Sequence, residues 1–118
     1  MSYDIYLRDP VTHQTIHFDI PHHMAGGTMA LGGTSEAWLN VTYNYHEIFC
    51  QVLGDRGVRS IYGKTGAQTI PLLKEAASKL ADDTDPDYWK PTEGNIKRVI
   101  LQLLAMAGMR PDGVWTGD

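Results

Sequence analysis

A long amphipathic segment near the end of the chain limits the folds that are open to it. In residues 92–108 the apolar side chains recur at intervals of three and four, which is the spacing of one face of an α-helix. Thr92 suits a helix N-cap, and Gly108 followed by Pro111 is typical of a helix end. The segment therefore predicts a core helix whose buried face carries Ile96, Val99, Ile100, Leu103, Leu104 and Ala107.

Three other segments alternate between apolar and polar residues, as half-buried β-strands do. Residues 2–9 and 13–20 are separated by a proline-containing turn, so they predict an antiparallel hairpin. Residues 38–45 alternate in the same way and predict a third strand.

Two shorter segments predict further helices. Residues 46–53 place apolar side chains on one face, and Gly54 can end that helix. The next helix is predicted to have Thr69 as its N-cap and Pro71 in its first turn. Its inward side chains are predicted to be Leu72, Leu73, Ala76, Ala77 and Leu80. Together the segments predict an α+β fold: a small antiparallel sheet, made of the N-terminal hairpin and a third strand, packed against two or three helices in a single domain over residues 1–118.

Charge and cysteine content narrow the classes of function. The formal net charge of -4 opposes non-specific binding to the phosphate backbone of DNA or RNA, so no nucleic-acid polymer is expected as a partner. The single cysteine, Cys50, excludes an internal disulfide and any cysteine-rich zinc site, which favours an intracellular protein. Cys50 lies beside Phe49 on the apolar face of a short helix, where cysteines are usually inert. No apolar run reaches the roughly 20 residues that span a bilayer, so no membrane association is expected.

A glycine-rich loop, residues 24–34, follows two adjacent histidines and contains two Gly-Gly-Thr triplets. Glycine pairs favour a tight hairpin turn, and they also let the main chain approach a ligand closely, so both interpretations stay open. In the second, Thr28 and Thr34 donate hydrogen bonds to the ligand. His22 and His23 are either solvated turn residues or ligand contacts. Because neighbours on an extended segment point in opposite directions, the two histidines are not expected to share a metal ion. No cofactor is expected.

A basic turn, residues 59–65, contains the triplet Gly63-Lys64-Thr65. The triplet is not a P-loop, because Val58 occupies the position at which that motif requires its first glycine. A looser hypothesis remains, in which Arg59, Lys64 and Thr65 bind an anion before a helix start; the alternative is a tight turn with a surface lysine. Tyr43 and Tyr45 are candidates to stack on a base, although most such residues belong to a core or its rim.

Several stretches of the chain resemble a group of small, mostly uncharacterised proteins of phages and prophages: HHMAGGT, GGTSEAWLNVTYNY, IYGKTGAQTIP and MRPDGVW. The resemblance covers nearly the whole chain. It implies an origin in a mobile element and a location in the cytoplasm of an infected or lysogenic bacterium. Small phage accessory proteins include anti-defence proteins that sequester nucleotide signals, so the resemblance also favours a ligand of that kind.

The leading hypothesis is a non-enzymatic phage accessory protein that binds or sequesters a small anionic, nucleotide-like ligand. A homo-oligomer is one of the assembly states that this hypothesis allows. The site residues would be His22, His23, Thr28, Thr34, Tyr43, Tyr45, Arg59, Lys64 and Thr65. A second hypothesis is an inhibitor that binds a host or phage protein through its aromatic surface. A third is a small hydrolase in which His22 or His23 acts as general base, oriented by Asp19; it lacks a nucleophile or metal motif.

Overall fold

The structure is a computed structural model that describes residues 1–27 and 31–118. Two short 3₁₀ helices, Tyr43–Tyr45 and Gly57–Ile61, lie among its longer elements. In chain order those elements are β1 (Ser2–Arg8), β2 (His17–His22), β3 (Thr34–Glu36), β4 (Trp38–Thr42), α1 (His46–Leu53), α2 (Gly66–Ser78), α3 (Glu93–Met109) and β5 (Val114–Gly117). The combination of three helices with small antiparallel sheets confirms the α+β class.

Strand β1 is the middle strand of the larger sheet, with β4 on one side and β5 on the other, both antiparallel to it. Its alternation places Tyr3, Ile5 and Leu7 in the core, as the sequence pattern requires. The aromatic side chain of Trp115, on β5 of this sheet, is also buried in the core.

The predicted N-terminal hairpin is shorter than its sequence pattern suggested. The predicted turn is present, and two hydrogen bonds close it. The amide of Ile16 donates to Leu7 O (3.0 Å), and the amide of Asp9 donates to Gln14 O (2.9 Å). Beyond the turn β2 leaves β1 and pairs with β3 in a separate two-stranded sheet. The reason is that β4 occupies the same edge of β1. The pairing of these two strands runs from Tyr6 opposite Trp38 to Ser2 opposite Thr42.

Helix α3 is the core helix that the sequence predicted, and Thr92 caps its start by accepting from the amide of Asn95. Of the six side chains expected to be inward, five are buried and Leu104 is half-buried. The helix continues through Gly108 and ends at Met109, since Arg110 is its C-cap and Pro111 stops it.

The N-cap of helix α2 is Thr65, four residues before the predicted N-cap Thr69. Thr65 and Gln68 form a capping box, in which each side chain accepts from the other residue's amide, so the helix starts at Gly66. Thr69 is therefore inside the helix and buried, and Pro71 lies in the second turn rather than the first. Leu72 was expected to be inward but is 42% exposed; Leu73, Ala76, Ala77 and Leu80 are buried as expected.

No helix in the described ranges is both long and apolar enough to cross a bilayer.

Candidate functional site

Two of the predicted site residues, Tyr43 and Arg59, meet in one pocket. It has a volume of about 310 Å³ and is lined by Tyr3, Tyr43, His46 and Arg59. The Cζ atom of Arg59 lies 4.9 Å from the ring centroid of Tyr3 and 5.8 Å from that of Tyr43. Both distances are within the range of cation–π attraction. We call this site the Tyr43–Arg59 pocket.

The guanidinium of Arg59 is held in place on two sides. Its Nε atom donates to the main-chain oxygen of Asp118 at 2.9 Å, while the two tyrosine rings lie against it. Within residues 1–27 and 31–118, its two Nη atoms make no hydrogen bond or ion pair. A guanidinium that is already positioned and still has free donors can bind an anion with little further loss of side-chain entropy.

Local sequence places the two tyrosines. Tyr3 is buried because it lies on the inward face of β1. At the end of β4 the hydroxyl of Thr42 accepts from the amide of Asn44 (3.2 Å), which turns the chain into the 3₁₀ helix that carries Tyr43. The two rings then meet edge to face, with centroids 4.5 Å apart. Tyr43 is therefore half-buried at this pocket and does not belong to the strand predicted over 38–45.

Gly57 allows Arg59 to approach helix α1. Its φ is +59°, and a Cβ atom there would lie 3.2 Å from Nδ1 of His46. Because glycine has no side chain, the 3₁₀ helix Gly57–Ile61 can pack directly against the His46 ring. This close approach brings Arg59 and His46 to the same pocket.

A chain of hydrogen bonds continues behind the pocket. The hydroxyl of Tyr3 lies 2.7 Å from Nδ1 of His46, and Sγ of Cys50 lies 3.4 Å from Nε2 of the same ring.

Burial raises the pKa of Tyr3, although Arg59 opposes that effect. Burial also raises the pKa of Tyr62, whose hydroxyl is buried without a partner in the described part of the chain. Both phenols are therefore neutral at physiological pH.

The basic turn offers an anion fewer donors than its sequence suggested. Its main-chain amides, and those at the start of α2, are already bonded within the fold. These bonds run from Gly63 to Trp115 O (2.9 Å), Lys64 to Ile61 O (3.0 Å), Thr65 to Gln68 Oε1 (2.9 Å), Gly66 to Gly113 O (2.8 Å), Ala67 to Pro111 O (2.9 Å) and Gln68 to Thr65 Oγ1 (3.1 Å). Thr65 acts as a helix cap, and Lys64 is exposed but does not line the Tyr43–Arg59 pocket.

His22 and Thr34 lie opposite each other in the β2–β3 ribbon, away from the Tyr43–Arg59 pocket. Nε2 of His22 is 2.6 Å from Glu36 O and Nδ1 is 3.3 Å from His23 O, so both ring nitrogens face carbonyl oxygens. That geometry suits a hydrogen-bond donor and leaves no lone pair directed at a substrate. Thr34 accepts from the amide of Glu36 at 3.1 Å. Both residues therefore stabilise the ribbon.

His23 and Thr28 are the two other predicted site residues at the glycine-rich loop. His23 is exposed and borders a separate hollow beside Arg98. Thr28 lies outside the described residues. Within the described ranges, no three His, Cys, Asp or Glu side chains come together as a metal ion would require.

The first glycine pair of the loop is explained by its packing. A Cβ atom on Gly27 would lie 1.4 Å from Asn40 O, and one on Gly26 would lie 2.6 Å from the Tyr45 ring. Gly26 O also accepts from the amide of Thr42 at 2.8 Å, so this segment covers the edge of β4. Tyr45 is fully buried, and its hydroxyl donates to Tyr88 O. Burial raises the pKa of Tyr45 to about 12, and the ring belongs to the core rather than to a stacking surface.

Two residues of the pocket, Tyr3 and His46, were not among the predicted site residues. Tyr3 has the alternation of an ordinary core strand, so its pattern carries no sign of a site. His46 does carry one: it precedes Cys50 by four positions on a predicted helix, which places both side chains on one face.

Comparisons of the chain with protein-family models, with curated proteins and with solved structures gave no match. The resemblance to phage proteins therefore stays a prediction, and the functional argument rests on the geometry of the pocket.

Proposed function

We propose that this protein is a non-enzymatic binding protein for a small anionic ligand that contains an aromatic ring, such as a nucleotide. The observation that carries the proposal is that Arg59, whose Nη donors are free within the described residues, and the half-buried ring of Tyr43 line one pocket. A positive group and an aromatic face side by side match the two ends of a nucleotide.

Three of the four lining residues contact the ligand in this proposal. The Nη atoms of Arg59 bind the phosphate, because guanidinium and phosphate oxygens form paired, charge-assisted hydrogen bonds. The exposed face of Tyr43 packs on the base. His46, which is exposed at the pocket, offers its ring edge to the sugar or the phosphate.

The size of the pocket restricts the ligand. Its volume of about 310 Å³ is at the lower end of the roughly 300–1,000 Å³ that small-molecule sites occupy. A mononucleotide is therefore the preferred class, and a long oligonucleotide is not expected to be enclosed. The formal charge of -4 also opposes binding to a polymer of phosphates.

A thermal-shift panel tests the proposal. Mononucleotides at about 100 times their dissociation constant should stabilise the fold by roughly 2.7 kcal/mol, which corresponds to a shift of about 10 °C for a domain of this size. The matched nucleosides and inorganic phosphate should each give much smaller shifts, because each keeps only one of the two interactions. A panel in which no mononucleotide stabilises the protein would overturn the proposal.

A second candidate function, the inhibition of another protein, is favoured by an apolar groove beside the two-stranded β2–β3 sheet. The groove has a volume of about 550 Å³ and lies between β2 and the end of α3. Two large apolar side chains at its rim are solvent-exposed, Ile20 at 78% and Met109 at 56%. Exposed apolar side chains around a groove are typical of protein-binding surfaces. Capture of a protein partner that is lost in an Ile20→Asp, Met109→Asp variant would support this function over the first.

A further inference from the structure

Three side chains, Tyr3, His46 and Cys50, form a connected group beside the Tyr43–Arg59 pocket. His46 and Cys50 are four residues apart on α1, so their side chains share one face of that helix. Nε2 of His46 lies 3.4 Å from Sγ of Cys50, and Nδ1 lies 2.7 Å from the hydroxyl of Tyr3. Cys50 is half-buried rather than enclosed.

The hydrogen-bond pattern accommodates transfer of the thiol proton to His46. When Nε2 takes the proton from Cys50, the ring carries a hydrogen on both nitrogens. Nδ1–H then donates to the oxygen of Tyr3, and Nε2–H donates to the sulfur. The thiol's other neighbour, Asp55 O at 3.5 Å, can only accept a hydrogen bond, so it does not stabilise the thiolate. His46, in contrast, has a ring nitrogen at 3.4 Å that can accept the thiol proton.

We propose that Cys50 is a reactive thiol that forms a mixed disulfide with a small, negatively charged disulfide. The Sγ–H proton moves to Nε2 of His46, and the thiolate attacks one sulfur of the small disulfide. The new bond joins Sγ to that sulfur, the old S–S bond breaks, and the other sulfur leaves as a thiolate that takes the proton back from His46. Cys50 is oxidised and the small disulfide is reduced, so atoms and electrons balance.

The charge preference comes from Arg59, which lines the same pocket as His46. Its Cζ atom lies 4.9 Å from the ring of Tyr3, the residue that bonds to His46. An anionic reagent is attracted to this guanidinium and is thereby concentrated next to the thiol. The guanidinium repels a cationic reagent, and Asp118, whose negative charge also acts on Tyr3, has a smaller effect there than Arg59. This inference does not rest on nucleotide binding.

The test is the rate at which Cys50 reacts with Ellman's reagent, an anionic aromatic disulfide. Because Cys50 is the sole cysteine, the release of coloured thiol reports on one site. At pH 7 we expect His46→Gln to react about fivefold more slowly than wild type, because an unassisted thiol is only a few per cent ionised. Tyr3→Phe should give a smaller loss, since it keeps His46 but removes the bond that orients it. The control is His13→Asn, a distant exposed position with φ of 62° that asparagine tolerates.

High pH separates ionisation from access. Above about pH 10 a thiol ionises without help, so the rates of wild type and His46→Gln should converge. A His46→Gln rate equal to or above that of wild type at pH 7 would overturn the proposal. A slower rate that persists unchanged at high pH would also overturn it, because the histidine would then control access alone.

The charge preference is tested with Arg59→Gln. We expect this variant to react about threefold more slowly with Ellman's reagent and no more slowly with cystamine, a cationic disulfide. Equal changes with both reagents would refute the preference for anions. All rates are measured without nucleotide, so failure of the proposed nucleotide binding leaves these results unaffected.

Discussion

Single polar residues join distant segments of this chain. Thr69 accepts from the indole Nε1–H of Trp115 at 2.9 Å in the core and donates to Gly66 O, so it ties α2 to β5. Asp9 accepts from two amides of its own turn and from Arg110 at the end of α3. Neither role is visible in the sequence, where Thr69 suits a helix N-cap and Asp9 suits an ordinary turn.

Replacing Thr69 with valine tests the first of these links. The substitution keeps the shape of the side chain but leaves the buried indole N–H of Trp115 without an acceptor. We expect the free energy of unfolding to fall by about 1–3 kcal/mol, measured by denaturant titration. Thr84→Val is the control, because Thr84 is exposed, and it should change stability by less than about 0.5 kcal/mol. Equal stability of the two variants would contradict the role assigned to Thr69.

Asp9 predicts a defined sensitivity to acid. Hydrogen bonds from the amides of Thr12 and Val11, then from Arg110, lower the pKa of Asp9 from 3.8 to about 2. Because the folded pKa is below the unfolded one, the ionised carboxylate stabilises the fold fully above about pH 4, and this contribution is lost as the pH falls towards 2. Asp9→Asn should therefore melt below wild type at pH 6, and the gap should narrow between pH 4 and pH 2. A gap that stays constant over that range would show that Asp9 does not titrate in this way.

Among the elements, the buried face of α3 was predicted most accurately from the sequence, and the start of α2 was predicted least accurately. The apolar spacing of α3 extends over several turns, so its buried face follows from periodicity. The start of α2 depends on which of two threonines caps it, and the capping box between Thr65 and Gln68 decides this. That motif is a local signal present in the sequence, but Thr69 followed by Pro71 is a competing one.

Paired substitutions on α3 test its role as the core helix. Leu103 is fully buried, so Leu103→Asp places an unpaired charge in the core and should cost several kcal/mol, a large part of a domain's roughly 5–15 kcal/mol. Leu101, two positions earlier on the same helix, is 45% exposed, and Leu101→Asp should cost about 1 kcal/mol. Circular dichroism melts compare the two variants. A cooperative melt of Leu103→Asp close to that of Leu101→Asp would contradict this orientation of the helix.

At the scale of the whole molecule, strand pairing and the site depend on contacts that a local pattern does not contain. The sequence pattern predicted strands correctly at β1 and β4, but not that β4 and β5 occupy both edges of β1 and exclude β2. Tyr43 and Arg59 were both named as ligand residues, yet only the fold places them in one pocket and leaves Lys64 outside it. The glycine-rich loop had two interpretations because glycine suits both; its first pair is required by packing against Asn40 and Tyr45.

The central claim is that Arg59 binds the phosphate of a small nucleotide, and calorimetry of nucleotide binding to Arg59→Gln tests it most directly. We expect the variant to lose about 1.5–3 kcal/mol of binding free energy, roughly a 10- to 150-fold rise in Kd, with a melt in the absence of ligand that is lowered by only a few degrees through loss of the Arg59 contacts. Two controls should each change Kd by less than about threefold. Lys64→Gln alters the basic turn outside the pocket, and Arg8→Gln alters an arginine that lies 5.5 Å from the ring centroid of another tyrosine, Tyr6. An unchanged Kd in Arg59→Gln, or an equal loss in Lys64→Gln, would contradict the account.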